Sequence, residues 1–245
     1  MGTAVASAPL GALPGQVPLA LGPAKAGWGG RREGAGRKAG AKGRAMPHRA
    51  RPWHDANHPV HVTLRVRRHL GSLRRYHVAA EILAAFRRAA QDARRGESFR
   101  VVHFSVQPDH LHLIVESNSK VALGRGLQGL VSRLARRINH RLGRRGAVFA
   151  ERYHRRSLPT PAEVRNAIVY VLTNAQKHAE PIPDLGTAPV RGLDPCSSAY
   201  WFDGWEHPPP AQAAAAPTAA PRTWLLRVGW RRHGTIGRAA KPARR

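Results

Sequence analysis

Cysteine is almost absent from this sequence, since Cys196 is the single one among 245 residues. One thiol forms no internal disulfide and builds no cysteine-based zinc site, so both kinds of scaffold are excluded. No run approaches the ~18 apolar residues that a membrane span needs. The first 24 residues lack lysine and arginine and are broken by prolines, unlike a secretory signal. The sequence therefore predicts a cytoplasmic protein that does not span a membrane.

Acidic residues are also scarce. The chain has 14 Asp and Glu against 41 Lys and Arg, which gives a formal net charge of +27. This excess is larger than solubility requires and indicates a polyanionic partner, either a nucleic acid or an anionic membrane surface. A membrane-surface role would explain the charge but not the motifs described below, so a nucleic acid is favoured.

Composition divides the chain into three regions. Residues 1–51 form a Gly/Arg/Lys-rich arm that we expect to be disordered, because it cannot bury enough apolar surface to offset its chain entropy. Met46 is an alternative start that would remove most of this arm. Residues 52–205 contain the periodic apolar patterns of a folded domain. Residues 206–245 form a Pro/Ala linker and a basic tail, whose two Trp and two Leu residues indicate that it docks on another surface.

Hydrophobic periodicity predicts the secondary structure of the middle region. Alternating patterns indicate strands at 58–67, 99–106 and 110–116, and helical spacing indicates helices at 74–94, 120–142 and 161–178. Residues 147–158 are ambiguous and hold at most a short strand. The last helix has a clear start signal, with Thr160 as N-cap, Pro161 at the first position and Glu163 completing a capping box.

The order β-α-β-β-α-(β)-α predicts an α+β fold of the ferredoxin-like, split βαβ type with an extra C-terminal helix. In this arrangement helices cover one face of an antiparallel sheet. We expect the other face to be open and able to receive a nucleic acid or a metal ion.

Two histidines share one face of the third predicted strand. His110 and His112 alternate with Leu111, so their imidazoles point the same way and the leucine points into the core. Two histidines that share a face are a natural pair of metal ligands. The plainer explanation is a pair of surface histidines on a half-exposed strand, and the spacing alone does not decide between the two.

The last predicted helix has a polar side opposite its apolar stripe. That side carries Asn166, Tyr170, Asn174 and Lys177. Tyr170 is either an exposed amphipathic residue or a nucleophile with a metal-binding carboxamide one turn away, at Asn174.

Combined with the histidine pair, this helix suggests metal-assisted transfer of a phosphodiester. A divalent ion held by two imidazoles and an amide oxygen keeps open positions and can neutralise the phosphate. Attack by Tyr170 would store the bond energy in a phosphotyrosine, so that another strand can later be rejoined. The unperturbed tyrosine pKa is about 10. The metal ion or Lys177 would favour the phenolate.

Three segments carry a family resemblance: FSVQPDHLHLIVE, ERYHRRSL and NAIVYVLTNAQKHA. They resemble the single-tyrosine HUH transposases of the IS200-like class, and most of all the branch of REP-associated tyrosine transposases. The matching motifs are Pro108–His112 and Tyr170–Asn174. The resemblance covers about residues 58–205 and includes SSAYWFDGW. One departure is Ala175, where the family usually has proline.

The resemblance implies a transposase that cleaves and rejoins single-stranded DNA, often beside a hairpin, through a 5′-phosphotyrosine intermediate. It implies Tyr170 as the nucleophile. It also implies a Mg²⁺ or Mn²⁺ ion held by His110, His112 and Asn174. Relatives occur as monomers and as homodimers that share their active sites, so the assembly of the site stays open.

Further predictions concern residues outside the two motifs. We expect the DNA backbone to be contacted by Arg133, Arg136, Arg137, Arg141 and Lys177. A solvated helix face is the plainer interpretation of the four arginines. Tyr153 is the rival nucleophile, although packing or base stacking suits it better. His61 and His103 are interpreted as ordinary strand residues rather than as partners of a metal ligand.

Two other functions compete with the transposase. One is a non-catalytic protein, inactivated or recruited, that binds a DNA sequence or hairpin. The presence of both histidines, Tyr170 and Asn174 argues against full decay of a catalytic site. The other is a histidine-triad nucleotide hydrolase, which needs a third alternating histidine where this chain has Ile114.

Overall fold

The structure is a computed structural model that describes residues 53–94, 98–174, 193–212 and 214–242. The predicted arm at 1–51 lies outside these ranges, as do Lys177 and the predicted end of the last helix at 178. Within the described ranges, no helix is both long and apolar enough to cross a membrane.

The fold is a four-stranded antiparallel sheet with helices packed on it. The strands are β1 (Val60–Arg65), β2 (Phe99–Val106), β3 (His110–Ser117) and β4 (His154–Ser157). The helices are α1 (Tyr76–Arg94), α2 (Lys120–Arg141), α3 (Pro161–Thr173) and the short α4 (Trp224–Arg227). The strand order is β2-β3-β1-β4. Because β3 lies between β1 and β2, the βαβ unit is split, and the predicted α+β ferredoxin-like class is confirmed.

One face of the sheet forms a core with α1 and α2. The sheet contributes alternate side chains such as Leu64, Leu111 and Leu113, which are fully buried. Phe86 of α1 stacks on Phe104 of β2, with ring centroids 4.4 Å apart. This packing fixes the orientation of β3, because a shift of one residue would exchange its two faces.

The other face of the sheet is more covered than expected. Here α3 and residues 193–242 form a second core that includes Ile114, Ile168 and Trp230. The backbone of the C-terminal segment also joins this unit, since the amide of Ala219 donates to the carbonyl of Val101. This face is therefore not open along the whole sheet, contrary to the expectation from the sequence. Apolar side chains on it, such as Ile114, stabilise the fold when they are buried.

The start of α3 follows the predicted signal. The Thr160 side chain accepts a hydrogen bond from the amide of Glu163, and Pro161 occupies the first turn. These contacts set where the helix begins and therefore which of its residues face the sheet. As a result Tyr170 turns toward β3.

Candidate active site

The site is built on β3, at the centre of the sheet. His110, His112 and Ile114 point to the face covered by α3, while Leu111 and Leu113 are fully buried on the other face. In the antiparallel register, His112 lies opposite Thr63 of β1, and His110 lies opposite Arg65. Pairing on both edges of β3 holds the two imidazoles in place.

The two imidazoles meet through their Nε2 atoms, which lie 2.9 Å apart. On His110, the Nδ1–H faces the carboxylate of Asp109 at 2.6 Å. On His112, Nδ1 lies 3.3 Å from Thr63 Oγ1 and also 3.3 Å from His61 Nε2. With each Nδ1 donating to its neighbour, both Nε2 atoms carry a lone pair. Two lone pairs this close require a proton or a cation between them.

A divalent cation fits this pair. Two nitrogens bound at about 2.1 Å to one ion, at right angles, lie about 3.0 Å apart, close to the 2.9 Å between the Nε2 atoms of His110 and His112. The partners on Nδ1 are also those that typically orient a metal-binding histidine. The spacing and orientation of the pair therefore suit a divalent cation.

The neutral form of the His112 imidazole also suits a metal ligand. Burial lowers the pKa of His112 to about 3, and the neighbouring His61 and His110 act in the same direction. Burial likewise lowers the pKa of His61 to about 4, with a contribution from Arg156. Both imidazoles are therefore neutral near pH 7, which is the form that binds metal ions.

Tyr170 lies directly beside the pair. Its hydroxyl oxygen is 3.3 Å from His112 Nε2. Its ring packs edge-on against the His112 ring, with centroids 4.9 Å apart, and against the His61 ring at 5.8 Å. A phenol held at this distance can reach an electrophile bound next to His112.

Asn174 follows Tyr170 by one helical turn and is buried. In the part of the chain that the structure describes, no group of three or more His, Cys, Asp or Glu side chains is arranged to hold a metal ion. The predicted protein ligands are then the two imidazoles and the Asn174 carboxamide. These roles stay predictions.

The predicted DNA-contacting arginines lie elsewhere. They belong to α2, which packs on the sheet face opposite the histidines. Arg133 pairs with Asp92 at 2.9 Å, and Arg137 pairs with Glu81 at 2.7 Å, both on α1. The structure therefore does not bring these two arginines, or Arg136 and Arg141 on the same helix, to the histidine pair. Their contact with DNA remains a prediction.

Tyr153, Tyr200 and His103 pack in the cores away from the histidine pair, whereas His61 lies beside it. Tyr153, the rival nucleophile, is partly buried against the core of α1 and α2. Tyr200 is buried in the second core. His103 packs edge-on against Phe202, as expected of a strand residue. His61 is interpreted from the sequence as an ordinary strand residue, but the structure places its Nε2 3.3 Å from Nδ1 of His112.

Sequence reasoning missed the surroundings of the pair. The positions of Thr63 and Arg65 beside the pair depend on the pairing of β1 with β3, which the sequence does not reveal. Arg65 is exposed and shares its sheet face with His110. For Asp109, its position directly before His110 was an available signal, since carboxylates often orient metal-binding histidines.

Comparison with known proteins agrees with the sequence motifs. Residues 57–171 match the family model described as "Transposase IS200 like". No curated protein matches the chain. Among solved structures, the chain is similar to "Structure of the REP associates tyrosine transposase bound to a REP hairpin", at 17% identity and a TM-score of 0.42. That similarity covers 62% of this chain and 90% of the other, and it is too low to add to the argument. The family match contains Pro108–His112 and Tyr170, so the segment that carries both histidines and the tyrosine is similar to the IS200-like transposase family.

Proposed function

We propose that this protein cleaves and rejoins single-stranded DNA, with Tyr170 as the nucleophile. One observation carries the proposal: the Tyr170 hydroxyl lies 3.3 Å from His112 Nε2, which itself lies 2.9 Å from His110 Nε2. The Tyr170 hydroxyl and two imidazole nitrogens thus surround one point on the sheet. The match of residues 57–171 to the family model of IS200-like transposases supports DNA as the substrate.

In the proposed reaction, the Tyr170 oxygen attacks the phosphorus of a phosphodiester. The bond from phosphorus to the 3′ oxygen breaks, and the phenolic proton ends on that oxygen. The products are a 5′-phosphotyrosine on the protein and a free 3′ hydroxyl on the released strand. Attack by a 3′ hydroxyl on the phosphotyrosine reverses the step and rejoins DNA.

His110, His112 and the Asn174 carboxamide would hold a Mg²⁺ or Mn²⁺ ion. When bound, the ion would neutralise the phosphate charge and polarise the scissile bond. Asp109 contacts Nδ1 of His110, and Thr63 contacts Nδ1 of His112. These contacts keep the two Nε2 atoms directed at the place where the ion would bind. The exposed Arg65 is placed to attract the substrate phosphate.

The proposed substrate is single-stranded DNA that forms hairpins, acted on in the cytoplasm. The net charge of +27 favours a polyanion, and single-stranded substrates are typical of the family. We also infer that the site assembles within one chain. The proximity of Tyr170 to His112 within a single copy supports this inference. A monomer is then sufficient for cleavage, although a homodimer is compatible with it.

A covalent-capture experiment tests the proposal. The protein is mixed with 5′- and 3′-labelled hairpin DNAs and Mn²⁺, and the products are separated on a denaturing gel. We expect one labelled strand to migrate at protein mass, and we expect Tyr170→Phe or a chelator to abolish this band. Tyr153→Phe, the matched control, should retain it.

Other outcomes distinguish the alternatives. A band that persists in Tyr170→Phe and disappears in Tyr153→Phe would assign the nucleophile to Tyr153. Tight hairpin binding without any covalent band, over several hairpin sequences, would favour the non-catalytic DNA-binding protein.

A further inference from the structure

The C-terminal segment carries an exposed aromatic side chain that the proposed reaction does not use. Trp205 and Trp230 are buried beside Phe202 in the second core, and packing explains them. Trp224 differs, because it is 47% exposed at the start of α4. The guanidinium of Arg232 lies over its ring, 4.7 Å from the centroid.

Buried contacts hold Trp224 in this position. Glu116 of β3 is 3% exposed and accepts hydrogen bonds from the backbone amides of Arg222 and Thr223, at 2.7 and 2.8 Å. The Thr223 hydroxyl donates to the same carboxylate. The indole also rests against Gly229, where an added Cβ would fall 2.7 Å from the ring atom Cζ3. The backbone just before Trp224 is therefore anchored to the central sheet, and the indole packs against Gly229.

The surroundings of Trp224 are cationic. Arg222, Arg227, Arg232 and His233 are all exposed. Arg231 pairs with Asp203 at 2.8 Å. Among the described residues, however, no carboxylate forms an ion pair with Arg222, Arg227 or Arg232. The sequence contains no Asp or Glu after Glu206 that could compensate this charge.

We propose that Trp224 with Arg222, Arg227 and Arg232, here called the tail platform, binds unpaired DNA by base stacking and phosphate pairing. A fixed, exposed indole provides a stacking surface for any base, and arginines beside it follow the backbone. The segment also contacts α3, the helix of Tyr170, because Arg165 donates to the carbonyl of Thr235 at 3.1 Å. The tail platform is thus attached to the same sheet face as the site. The inference rests on the proposed function only in taking DNA as the partner.

Binding of the full chain to labelled oligonucleotides tests the tail platform. The measurements use fluorescence anisotropy with a chelator present, so that cleavage does not contribute. We expect Trp224→Ala and Trp224→Leu to weaken binding of a 20-nucleotide single strand by about 10-fold, while Trp224→Phe stays within about 3-fold. A blunt duplex offers no unpaired base, so the same variants should change its binding by less than about 2-fold. Thermal unfolding verifies that each variant folds.

Salt dependence tests the arginines separately. For single strands, the slope of log affinity against log salt becomes shallower by about 0.7 for each phosphate that the protein no longer neutralises. Arg227→Gln combined with Arg232→Gln should therefore flatten the slope by about 1.4. Arg231→Gln, whose guanidinium already pairs with Asp203, is the matched control and should leave the slope nearly unchanged.

Three results would overturn the tail platform. The first is single-strand binding by Trp224→Leu that equals that of the unmodified protein. The second is an equal loss for single strand and duplex, which indicates general charge attraction. The third is Trp224-dependent binding to phosphatidylserine vesicles with no Trp224-dependent binding to DNA. Each can occur while Tyr170-dependent cleavage is intact, so failure of the tail platform is distinct from failure of the proposed function.

Discussion

At the scale of single residues, the chemistry depends on which nitrogen of each histidine keeps its proton. Asp109 binds the Nδ1–H of His110, and Thr63 and His61 lie 3.3 Å from Nδ1 of His112. The two Nε2 lone pairs then converge beside the Tyr170 hydroxyl. The structure places Tyr170, which the sequence motifs singled out, beside the histidine pair. The motifs did not reveal Thr63 and His61, because these reach His112 only through the pairing of β1 with β3.

His61 provides a test at this scale. Replacing it with phenylalanine keeps an aromatic ring but removes the nitrogen beside His112. Loss of a partner that orients a metal ligand typically costs 10- to 100-fold in metal affinity. We therefore expect His61→Phe to raise the Mn²⁺ concentration needed for half-maximal cleavage by about 10-fold or more. Hairpin binding in chelator should be unchanged.

The matched control for His61 is His103→Phe, which changes a histidine of the same sheet face away from the site. It should leave the Mn²⁺ requirement as it is. An unchanged Mn²⁺ requirement in His61→Phe would show that His61 does not orient His112.

At the scale of elements, local patterns predicted the strands and long helices, while the covering of the second face could not be foreseen. The start of α3 depended on neighbouring residues, Thr160 to Glu163, and was predicted correctly. By contrast, α4 has four residues and no measurable periodicity. Its place is set by distant partners such as Glu116, which lies 107 positions before Thr223.

A buried ion pair joins two such distant segments. Arg74, just before α1, donates to both carboxylate oxygens of Asp194 at 3.0 and 2.8 Å, and also to the carbonyl of Val106. Removing one partner leaves the other charge buried, which typically costs about 3–5 kcal/mol. Asp194→Ala should lower the free energy of unfolding in urea by about that amount.

The exposed pair of Arg231 with Asp203 is the control for this effect. Its side chains are 38% and 83% exposed, so Asp203→Ala should cost less than about 1 kcal/mol. Equal effects of Asp194→Ala and Asp203→Ala would show that the buried pair does not hold the two segments together.

His103 of β2 makes the second core sensitive to acid. Burial lowers its pKa from 6.5 to about 4, and among the described residues Asp203 is the charged group that opposes this shift. The unfolded chain therefore binds a proton first as pH falls. The stability that neutral His103 contributes is complete above about pH 6.5 and is lost on acidification toward pH 4, by up to about 3 kcal/mol.

Urea unfolding at several pH values tests this assignment. His61 and His112 also have lowered pKa values, so the unmodified protein should lose stability in acid for several reasons. His103→Phe keeps the ring contact with Phe202 and removes one titrating group. The stability lost between about pH 7 and pH 5 should be smaller in His103→Phe, and an equal loss would refute the role of His103.

At the scale of the whole molecule, the cations of the described residues differ in whether an acidic side chain pairs with them. The net charge of +27 favours an anionic partner, but composition alone does not show which cations are available to bind it. Two arginines of α2 pair with acidic residues of α1. Arg65 lies exposed on the sheet face of the histidine pair, and the tail platform adds cations beside α3. DNA contact is thus expected mainly on the side of the second core.

The most direct test of the proposed chemistry is to identify the tyrosine that becomes linked to DNA. After reaction with hairpin DNA and Mn²⁺, nuclease and trypsin digestion would release a peptide of residues 166–177, in which Tyr170 is the only tyrosine. We predict that mass spectrometry finds the nucleotide phosphate on this peptide. Its presence instead on the peptide of residues 153–155, which contains Tyr153, would contradict the assignment of Tyr170 as the nucleophile.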